Sequence, residues 1–507
     1  MNWLSLNILV FSPLLISILF LLPIFSGHSV LIRRFAKGFA GIHFVYTLLF
    51  LVFFNTNIET NYETALTFFN FDWLGSLGIS LTMGLDGISI FFVILTSFIV
   101  LMATIASKGI IKSKHGLYYA LIFIVESAIL GVFCAQDMFE FFMFWELELI
   151  PMYFLIGLWG EESSAKKSAM KFLLYTFLGS LFMLCGFLML YNFNFISTNE
   201  LTADMRALSF DYDSVPIYLQ LFAAVLMFIG FAVKMPIIPL HTWLPNAHTD
   251  APAPVSMILA ALLLKMGAYG ILRFNIQLLP DTFLMMLPYL TVLAFINITF
   301  AAIVAYYQTD IKKIVAYSSI SSMGIVLLGF CSLNLIGISG AIFLMLAHGI
   351  ISAGLFFIVG IIYKRTGTRD INQLGGIAKV MPRLAGFTLI LVMASIGLPG
   401  LIAFVGEFLV FFGTFISSIL NNYLIQVIAL ASIIVLILSA CYMLKLMHGV
   451  FYGVILERWE KLSDILNHEL FVLLSLSLTA LIFGIMPMTI LNIIEPFVGN
   501  IIMAFGG

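Results

Sequence analysis

The stretch FIGFAVKMPIIPLHTWLP, residues 228–245, places Lys234 at the end of an apolar run that three prolines then interrupt. A second lysine, Lys265, lies within the apolar run SMILAALLLKMGAYG, residues 256–270. A charge at the centre of a bilayer costs about 2.5–3.5 kcal/mol on insertion scales, so such residues usually face the protein interior and line an ion path. The two lysines therefore predict a membrane protein that moves protons.

The composition of the chain supports the membrane assignment. Of its 507 residues, 62% are hydrophobic and only 9% are charged, whereas soluble domains carry about 25% charged residues. No sizeable soluble domain is expected, and the net charge of −2 says little about partners. The four cysteines lie far apart within or at the ends of apolar segments, which predicts neither a disulfide framework nor a metal site.

Apolar runs long enough to cross a bilayer recur along the whole chain. The sequence predicts an all-α polytopic membrane protein with about 14 transmembrane helices. The first segment is too long for a signal sequence and is expected to be a retained helix. The approximate spans are 4–24, 35–54, 87–106, 117–134, 137–158, 168–191, 216–237, 252–273, 283–306, 314–333, 337–362, 384–412, 424–450 and 470–494.

The distribution of lysine and arginine predicts the orientation. Almost all of these residues lie in the loops after odd-numbered spans, and the opposite side has only Arg206 and Arg273. Loop 7–8, predicted inside, carries neither residue type. Since cytoplasmic loops carry the excess of positive charge, both termini are expected outside, in the periplasm if the host is a bacterium.

Two of the predicted spans are interrupted. Pro236, Pro239 and Pro245 interrupt the seventh, and the sequence Gly-Leu-Pro-Gly at 397–400 interrupts the twelfth. Proline removes a helical hydrogen bond and clashes one turn back, and paired broken helices are typical of inverted-repeat transporters. Within a single membrane domain, 1–507, the sequence predicts N-terminal helices over 1–116, five-helix repeats over 117–275 and 276–452, and a C-terminal helix over 453–507.

Two carboxylates within apolar segments, Glu146 and Glu407, are candidate counter-charges for the lysines. Glu146 lies nine residues after Asp137, about 14 Å along a helix and close to the midplane. Glu126 lies at a similar depth, and Glu407 lies in the run AFVGEFLVFF. Glu148 is about 200° around the helix from Glu146, so the two cannot face the same path, and Glu146 is the predicted partner of Lys234.

These charged residues allow a structural and a functional interpretation. Structurally, a buried ion pair would lock helix packing, but desolvation offsets most of the attraction within such a pair. Functionally, a carboxylate that moves or takes up a proton would release the proton of a buried lysine. Histidines can extend such a path, so His241, His248 and His348 are candidate relays. His43 and His448 are expected to serve packing.

Five segments resemble the antiporter-like M subunits of respiratory complex I (NADH–quinone oxidoreductase), called subunit 4 in mitochondria. The resemblance spans residues 80–460 in the same order and implies 14 transmembrane helices with two inverted repeats, and proton translocation. The family typically has lysine at the position of Glu407 in its L and N subunits and in Mrp-type antiporters, and the chain lacks the long lateral helix of the L subunit. The segments are FFMFWELELIPMYFLIGLWG, FAVKMPIIPLHTWLPNAHTDAPAPVS, LLLKMGAYGILRF, QTDIKKIVAYSSISSMG and PGLIAFVGEF.

The resemblance also implies the residues of the proton path, and the chain departs from the pattern in three places. Ser322 stands where the family usually has a histidine. Glu126 and Lys445 are additional charged residues within predicted spans and are candidate accessory groups. The residues that carry over as the proton path are Glu146, Lys234, Lys265, His348 and Glu407.

The sequence predicts no cofactor or metal in this chain, because it has no G-x-G-x-x-G, no P-loop and no clustered cysteines. The resemblance implies a non-redox subunit of an oxidoreductase in the bacterial inner membrane. Its expected partners are the L and N subunits and the lipid bilayer, with no nucleic acid. Alternatives are a subunit of a cation/proton antiporter, against which Glu407 argues, a subunit of a membrane-bound hydrogenase, and a passive scaffold.

Overall fold

The computed structural model describes residues 5–22, 28–57, 66–160, 163–208, 215–417, 423–503 and 505. Helices make up most of this part of the chain, as expected where no water is present to satisfy backbone N–H and C=O groups. The α-helices are α1 Leu6–Leu21, α2 Ser29–Asn57, α3 Ser89–Ala106, α4 His115–Cys134, α5 Met138–Leu147, α6 Leu149–Trp159, α7 Ala165–Thr198, α8 Ile217–Lys234, α9 Trp243–Asp250, α10 Ala253–Ile258, α11 Leu264–Gly270, α12 Pro280–Tyr307, α13 Ile311–Cys331, α14 Leu335–Thr366, α15 Pro382–Ile396, α16 Ile402–Ile416, α17 Tyr423–Phe451, α18 Asn467–Ile485 and α19 Met488–Met503.

The predicted spans correspond closely to the observed helices. Twelve helical segments of the described chain are long and apolar enough to cross a membrane. The shorter α1 and the pair α15 and α16 account for the first and twelfth predicted spans. Residues 4, 23 and 24 of the first predicted span lie outside the described residues. The fold is therefore that of a polytopic helical membrane protein, whereas the inverted relation of the two repeats stays a prediction.

The predicted last span, 470–494, is wrong as a single helix. The chain forms α18 up to Ile485 and then a separate helix, α19, from Met488. Pro487 lies immediately before α19, a position that proline favours because its missing N–H has no helical partner there. The C-terminal segment thus contains two helices rather than one.

A β-hairpin between α2 and α3 was not predicted and modifies the all-α assignment. Strand β1, Leu66–Leu74, pairs antiparallel with β2, Ile79–Leu85. The hairpin is tied to the start of α5, because Asp137 accepts from the Ser80 N–H at 3.0 Å and Glu140 accepts from the Thr82 N–H at 2.9 Å. Glu140 therefore holds this hairpin.

Both predicted helix breaks are present. Between α8 and α9 the chain is not α-helical over residues 235–242, and the Asn297 side chain satisfies the Ile238 N–H at 2.9 Å. Between α15 and α16 the backbone turns through Gly397 and Gly400, with φ of +81° and +91°. A third break separates α5 from α6 at Glu148.

The most buried candidate membrane spans of the described chain are α14 and the segment Ala253–Ile276, whose apolar central residues are all buried. The second segment is not a regular α-helix, since π-helical turns at Leu259–Leu263 and Ile271–Ile276 flank α11. π-Helical turns are frequent at functional sites. The two segments carry His348 and Lys265, so the fold brings these residues into its centre.

Candidate functional site

Lys234, at the end of α8, forms an ion pair with a carboxylate at the joint between α5 and α6. Its Nζ lies 2.6 Å from Oε1 of Glu148, and both side chains are fully buried, at 1% and 0% exposure. The ammonium also lies 3.8 Å from the ring centroid of Trp145 and 3.5 Å from its carbonyl oxygen. A buried charge requires such compensation, and here an anion, a carbonyl and an aromatic face supply it.

The prediction that Glu146 is the direct partner of Lys234 is wrong. Among the described residues, Glu148 is the only carboxylate within ion-pair distance of Lys234. Glu146 is half-buried, its Oε1 has no hydrogen-bond partner among the described residues, and its charge interacts with that of Lys234 at longer range. We call Glu146, Glu148 and Lys234 the carboxylate–lysine site.

The local sequence explains why Glu148 occupies this position. Glu148 is the joint between α5 and α6, and Pro151 follows three residues later. Proline cannot donate to the carbonyl four residues before it and clashes there, so the helix breaks next to Leu147. Helical geometry predicts that the two glutamates lie on different sides of the helix, but it does not determine which of them faces α8.

Lys265 has a histidine rather than a carboxylate as its partner. Its Nζ lies 2.6 Å from Nδ1 of His348 and donates to the Ala260 carbonyl at 2.7 Å. The Ala260 carbonyl belongs to the π-helical turn before α11. Within the described chain, no carboxylate lies within ion-pair distance of this lysine, although the sequence suggested Glu146 or Glu407.

His248 completes the second cluster, which we call the lysine–histidine site: Lys265, His348 and His248. His248 is fully buried and stacks on Phe356 at 4.4 Å. Neither of its ring nitrogens has a hydrogen-bond partner among the described residues. It is electrostatically coupled to both Lys265 and His348. A histidine can take up and release protons near neutrality, whereas burial and the lysines Lys312 and Lys265 disfavour a charged imidazole at His248.

The other predicted relay, His241, lies apart from this cluster. It is 7% exposed and lies beside the rings of Phe300 and Tyr317, with centroid separations of 5.8 and 6.4 Å. Its Nδ1 has no hydrogen-bond partner within the described chain. His241 lies within the break between α8 and α9, whereas His248 lies within α9, so the two histidines face different surroundings.

Glu407 is buried without a cationic partner. It is 8% exposed and has no ion-pair contact among the described residues. Its carboxylate lies against Gly397 at the break between α15 and α16, where an added Cβ would meet Oε2 at 2.3 Å. The structure therefore does not bring Glu407 into direct contact with either lysine.

Glu126 and His43 form a pair that the sequence did not predict. The Nδ1 of His43 lies 2.8 Å from Oε1 of Glu126, and its Nε2 lies 3.0 Å from the Leu9 carbonyl. The pair is buried and ties α1, α2 and α4 together. This contact joins residues 83 positions apart, so no spacing along the sequence could have revealed it.

Lys445 and Ser322 each donate to backbone carbonyls of the described chain. Lys445 donates to the carbonyls of Tyr306 and Gln308 at 2.6 and 3.1 Å and is partly exposed. Ser322 donates to the Ser318 carbonyl at 3.1 Å. In the part of the chain that the structure describes, no group of three histidine, cysteine or acidic side chains is arranged to hold a metal ion.

Comparisons with known proteins identify the family of the chain. The family model described as NADH:quinone oxidoreductase/Mrp antiporter, TM matches residues 135–446. NADH-quinone oxidoreductase subunit M of Rickettsia prowazekii (strain Madrid E) is 38% identical over 501 residues, covering 98% of this chain and 99% of the relative. NAD(P)H-quinone oxidoreductase chain 4 1 of Picosynechococcus sp. is 43% identical over 398 residues, covering 78% and 73%.

A chain from the structure of respiratory complex I from Thermus thermophilus with bound NADH has a TM-score of 0.86 and 27% identity, covering 99% of this chain and 100% of that chain. A chain of the Mrp complex from Dietzia sp. DQ12-45-1b has a TM-score of 0.85 at 20% identity, covering 99% and 98%, and shows the shared fold. Fold and site thus define an antiporter-like membrane protein. The chain belongs to the NADH:quinone oxidoreductase/Mrp antiporter family, and its resemblance to the M subunits of NADH–quinone oxidoreductase is confirmed.

Proposed function

We propose that the chain is a proton-translocating, antiporter-like subunit in the membrane arm of NADH–quinone oxidoreductase, without a redox centre of its own. The observation that carries the proposal is the pairing of Lys234 with Glu148 at 2.6 Å, fully buried at the end of a broken helix. The lysine–histidine site supplies a second group of buried residues that can exchange protons.

The physical basis is that a buried charge depends on its partner. The cost of an uncompensated ammonium inside a protein is high, so a change at Glu148 or Glu146 changes whether Lys234 keeps its proton. The broken helix allows such a change, because the chain after Lys234 is not α-helical over residues 235–242. The energy scale is appropriate, since one charge crossing 100 mV costs about 2.3 kcal/mol.

The surroundings of the subunit are part of the proposal. We infer that other membrane-arm subunits, the L and N paralogues among them, and lipid cover its exposed apolar surface in a bacterial inner membrane, with both termini periplasmic. The lateral face of α7 is one such surface, and it exposes Leu174, Phe177, Leu178 and Leu181. The repeats 117–275 and 276–452 would each supply one half of the proton path.

A subunit of a cation/proton antiporter is the second candidate, because the matching family model covers both kinds of protein. The relatives that match this chain over 98% of its length are named subunit M, which favours the oxidoreductase. The purified chain in liposomes is expected to show no cation/proton exchange. Robust exchange by the chain alone would favour the antiporter.

Deletion and complementation test the proposed function. In inverted membrane vesicles from a host lacking this chain, NADH-driven acidification is expected to be lost, and expression of the wild-type chain is expected to restore it. A native gel of the same membranes checks whether the chain migrates with NADH dehydrogenase activity. Unchanged NADH-driven acidification without the chain would contradict the proposal.

A further inference from the structure

We propose that Glu148 and Glu146 are two alternative positions for the ammonium of Lys234, and that Glu148 is the one occupied in this structure. The inference deepens the proposed function and rests on it. It assigns a role in proton transfer to Glu148, whose place in the sequence predicted only that it faces away from Glu146.

The first argument is that Glu148 has no other compensating partner. Its side chain is completely buried, and Lys234 is its only ion-pair contact within the described chain. Its Oε2 has no hydrogen-bond donor among the described residues. A buried carboxylate in this environment is costly when its cation leaves, so departure of the ammonium favours uptake of a proton on a Glu148 oxygen.

The second argument is that, besides Glu148, the ammonium contacts the residue that directly precedes Glu146. These contacts are with the ring and the carbonyl of Trp145. Glu146 is electrostatically coupled to Lys234 and has one buried oxygen, Oε1, without a hydrogen-bond partner among the described residues. Moving the ammonium from Glu148 to Glu146 would therefore exchange one carboxylate for another at the end of α5.

The third argument is that both sides of the contact are at helix breaks. Lys234 is the last residue of α8, and Glu148 is the joint between α5 and α6. Each can shift without breaking a regular helix. In each cycle a proton binds a Glu148 oxygen when the ammonium leaves, and the O–H bond breaks when the ammonium returns. One proton is therefore taken up and released per complete cycle, in which the ammonium leaves Glu148 and returns to it.

Substitution by glutamine and by aspartate separates this role from packing. Glu148→Gln keeps the shape and removes the charge, whereas Glu148→Asp keeps the charge on a side chain one methylene shorter. We expect NADH-driven acidification, normalised to assembled complex, to fall about tenfold or more in Glu148→Gln and to be partly retained in Glu148→Asp. A packing role predicts the opposite order.

Three further variants give the control and the distinction from the proposed function. Glu126→Gln, a buried glutamate paired with His43 outside the carboxylate–lysine site, is expected to pump like wild type. Full pumping by Glu148→Gln together with loss in Lys234→Ala and Glu146→Gln would overturn the role of Glu148 and leave the proposed function standing. Full pumping by Glu148→Gln, Lys234→Ala and Glu146→Gln alike would overturn the proposed function itself.

Discussion

The Nζ of Lys265 lies 2.6 Å from Nδ1 of His348, whereas the Nζ of Lys234 lies 2.6 Å from a carboxylate oxygen of Glu148. The two buried lysines therefore differ in their compensation. A carboxylate stabilises an ammonium directly, but an imidazole and an ammonium repel when both are charged. The Lys265–His348 pair is thus expected to carry at most one positive charge. A charged ammonium on Lys265 then excludes a charged imidazole on His348, and the reverse.

Replacing either member of this pair is expected to interrupt the same step. Lys265→Ala and His348→Ala should each lower NADH-driven acidification about tenfold or more, as expected for loss of a proton-transfer group. The double variant should be little worse than either single variant, because the two residues act as a unit. His448→Ala, an exposed histidine of α17, is the control. Additive losses in the double variant would contradict the pairing.

The His43–Glu126 contact is expected to serve helix packing. In Glu126→Gln the amide oxygen can still accept from the Nδ1 of His43, so pumping per assembled complex should stay near wild type. Glu126→Leu leaves the buried imidazole without that partner, which costs about 1–3 kcal/mol, and should lower the amount of assembled complex on a native gel. A loss of pumping in Glu126→Gln as deep as that of Lys234→Ala would place Glu126 in the proton path.

The sequence predicts features that depend on neighbouring residues better than contacts between residues far apart in the chain. Prolines and glycines act on their own backbone, so the breaks after Lys234 and at Gly397 were predicted. The break at Glu148 was not predicted. A single proline, Pro151, within an apolar run does not by itself distinguish a broken helix from a continuous one. The hairpin at residues 66–85 was missed as well. The partners of Lys265 and of Glu126 lie 83 residues away in each case, and only tertiary packing determines such contacts.

The glycine at the second helix break is expected to be required for the position of Glu407. Gly397 has φ of +81°, and a Cβ there would meet the Glu407 Oε2 at 2.3 Å. Gly397→Ala combines a left-handed backbone cost of about 1–2 kcal/mol with displacement of this carboxylate, and should reduce pumping per assembled complex. Gly386→Ala in α15, where a Cβ meets nothing within 4 Å, is the matched control. Equal pumping by both variants would contradict this role.

Asp86 connects the end of the hairpin to the segment Ala253–Ile276 through an ion pair with Arg273. Burial acts to raise the pKa of Asp86, but the Arg273 guanidinium and the N–H groups of Ser89 and Ile88 outweigh it and hold the pKa below its usual range. Because the folded-state pKa is lowered, this stabilisation is fully present above the unfolded value of about 3.9 and is lost only as the pH falls through the folded value.

The corresponding test is the thermal inactivation of complexes carrying Asp86→Asn. Removing one member of a buried pair costs about 3–5 kcal/mol, so the variant should inactivate at a lower temperature than wild type. The difference between the two should be constant from about pH 6 to about pH 8, since Asp86 remains ionised throughout. A difference that disappears as the pH rises within this range would contradict the assignment.

The most direct test of the account is NADH-driven acidification of inverted membrane vesicles, normalised to assembled complex, for Lys234→Ala beside Lys445→Ala. Lys234 is buried and paired with Glu148, whereas Lys445 is partly exposed and donates to the Tyr306 and Gln308 carbonyls. We expect the pumping rate of Lys234→Ala to be about tenfold or more below that of wild type. We expect Lys445→Ala to pump at the wild-type rate. Pumping by Lys234→Ala at the wild-type rate would contradict the account.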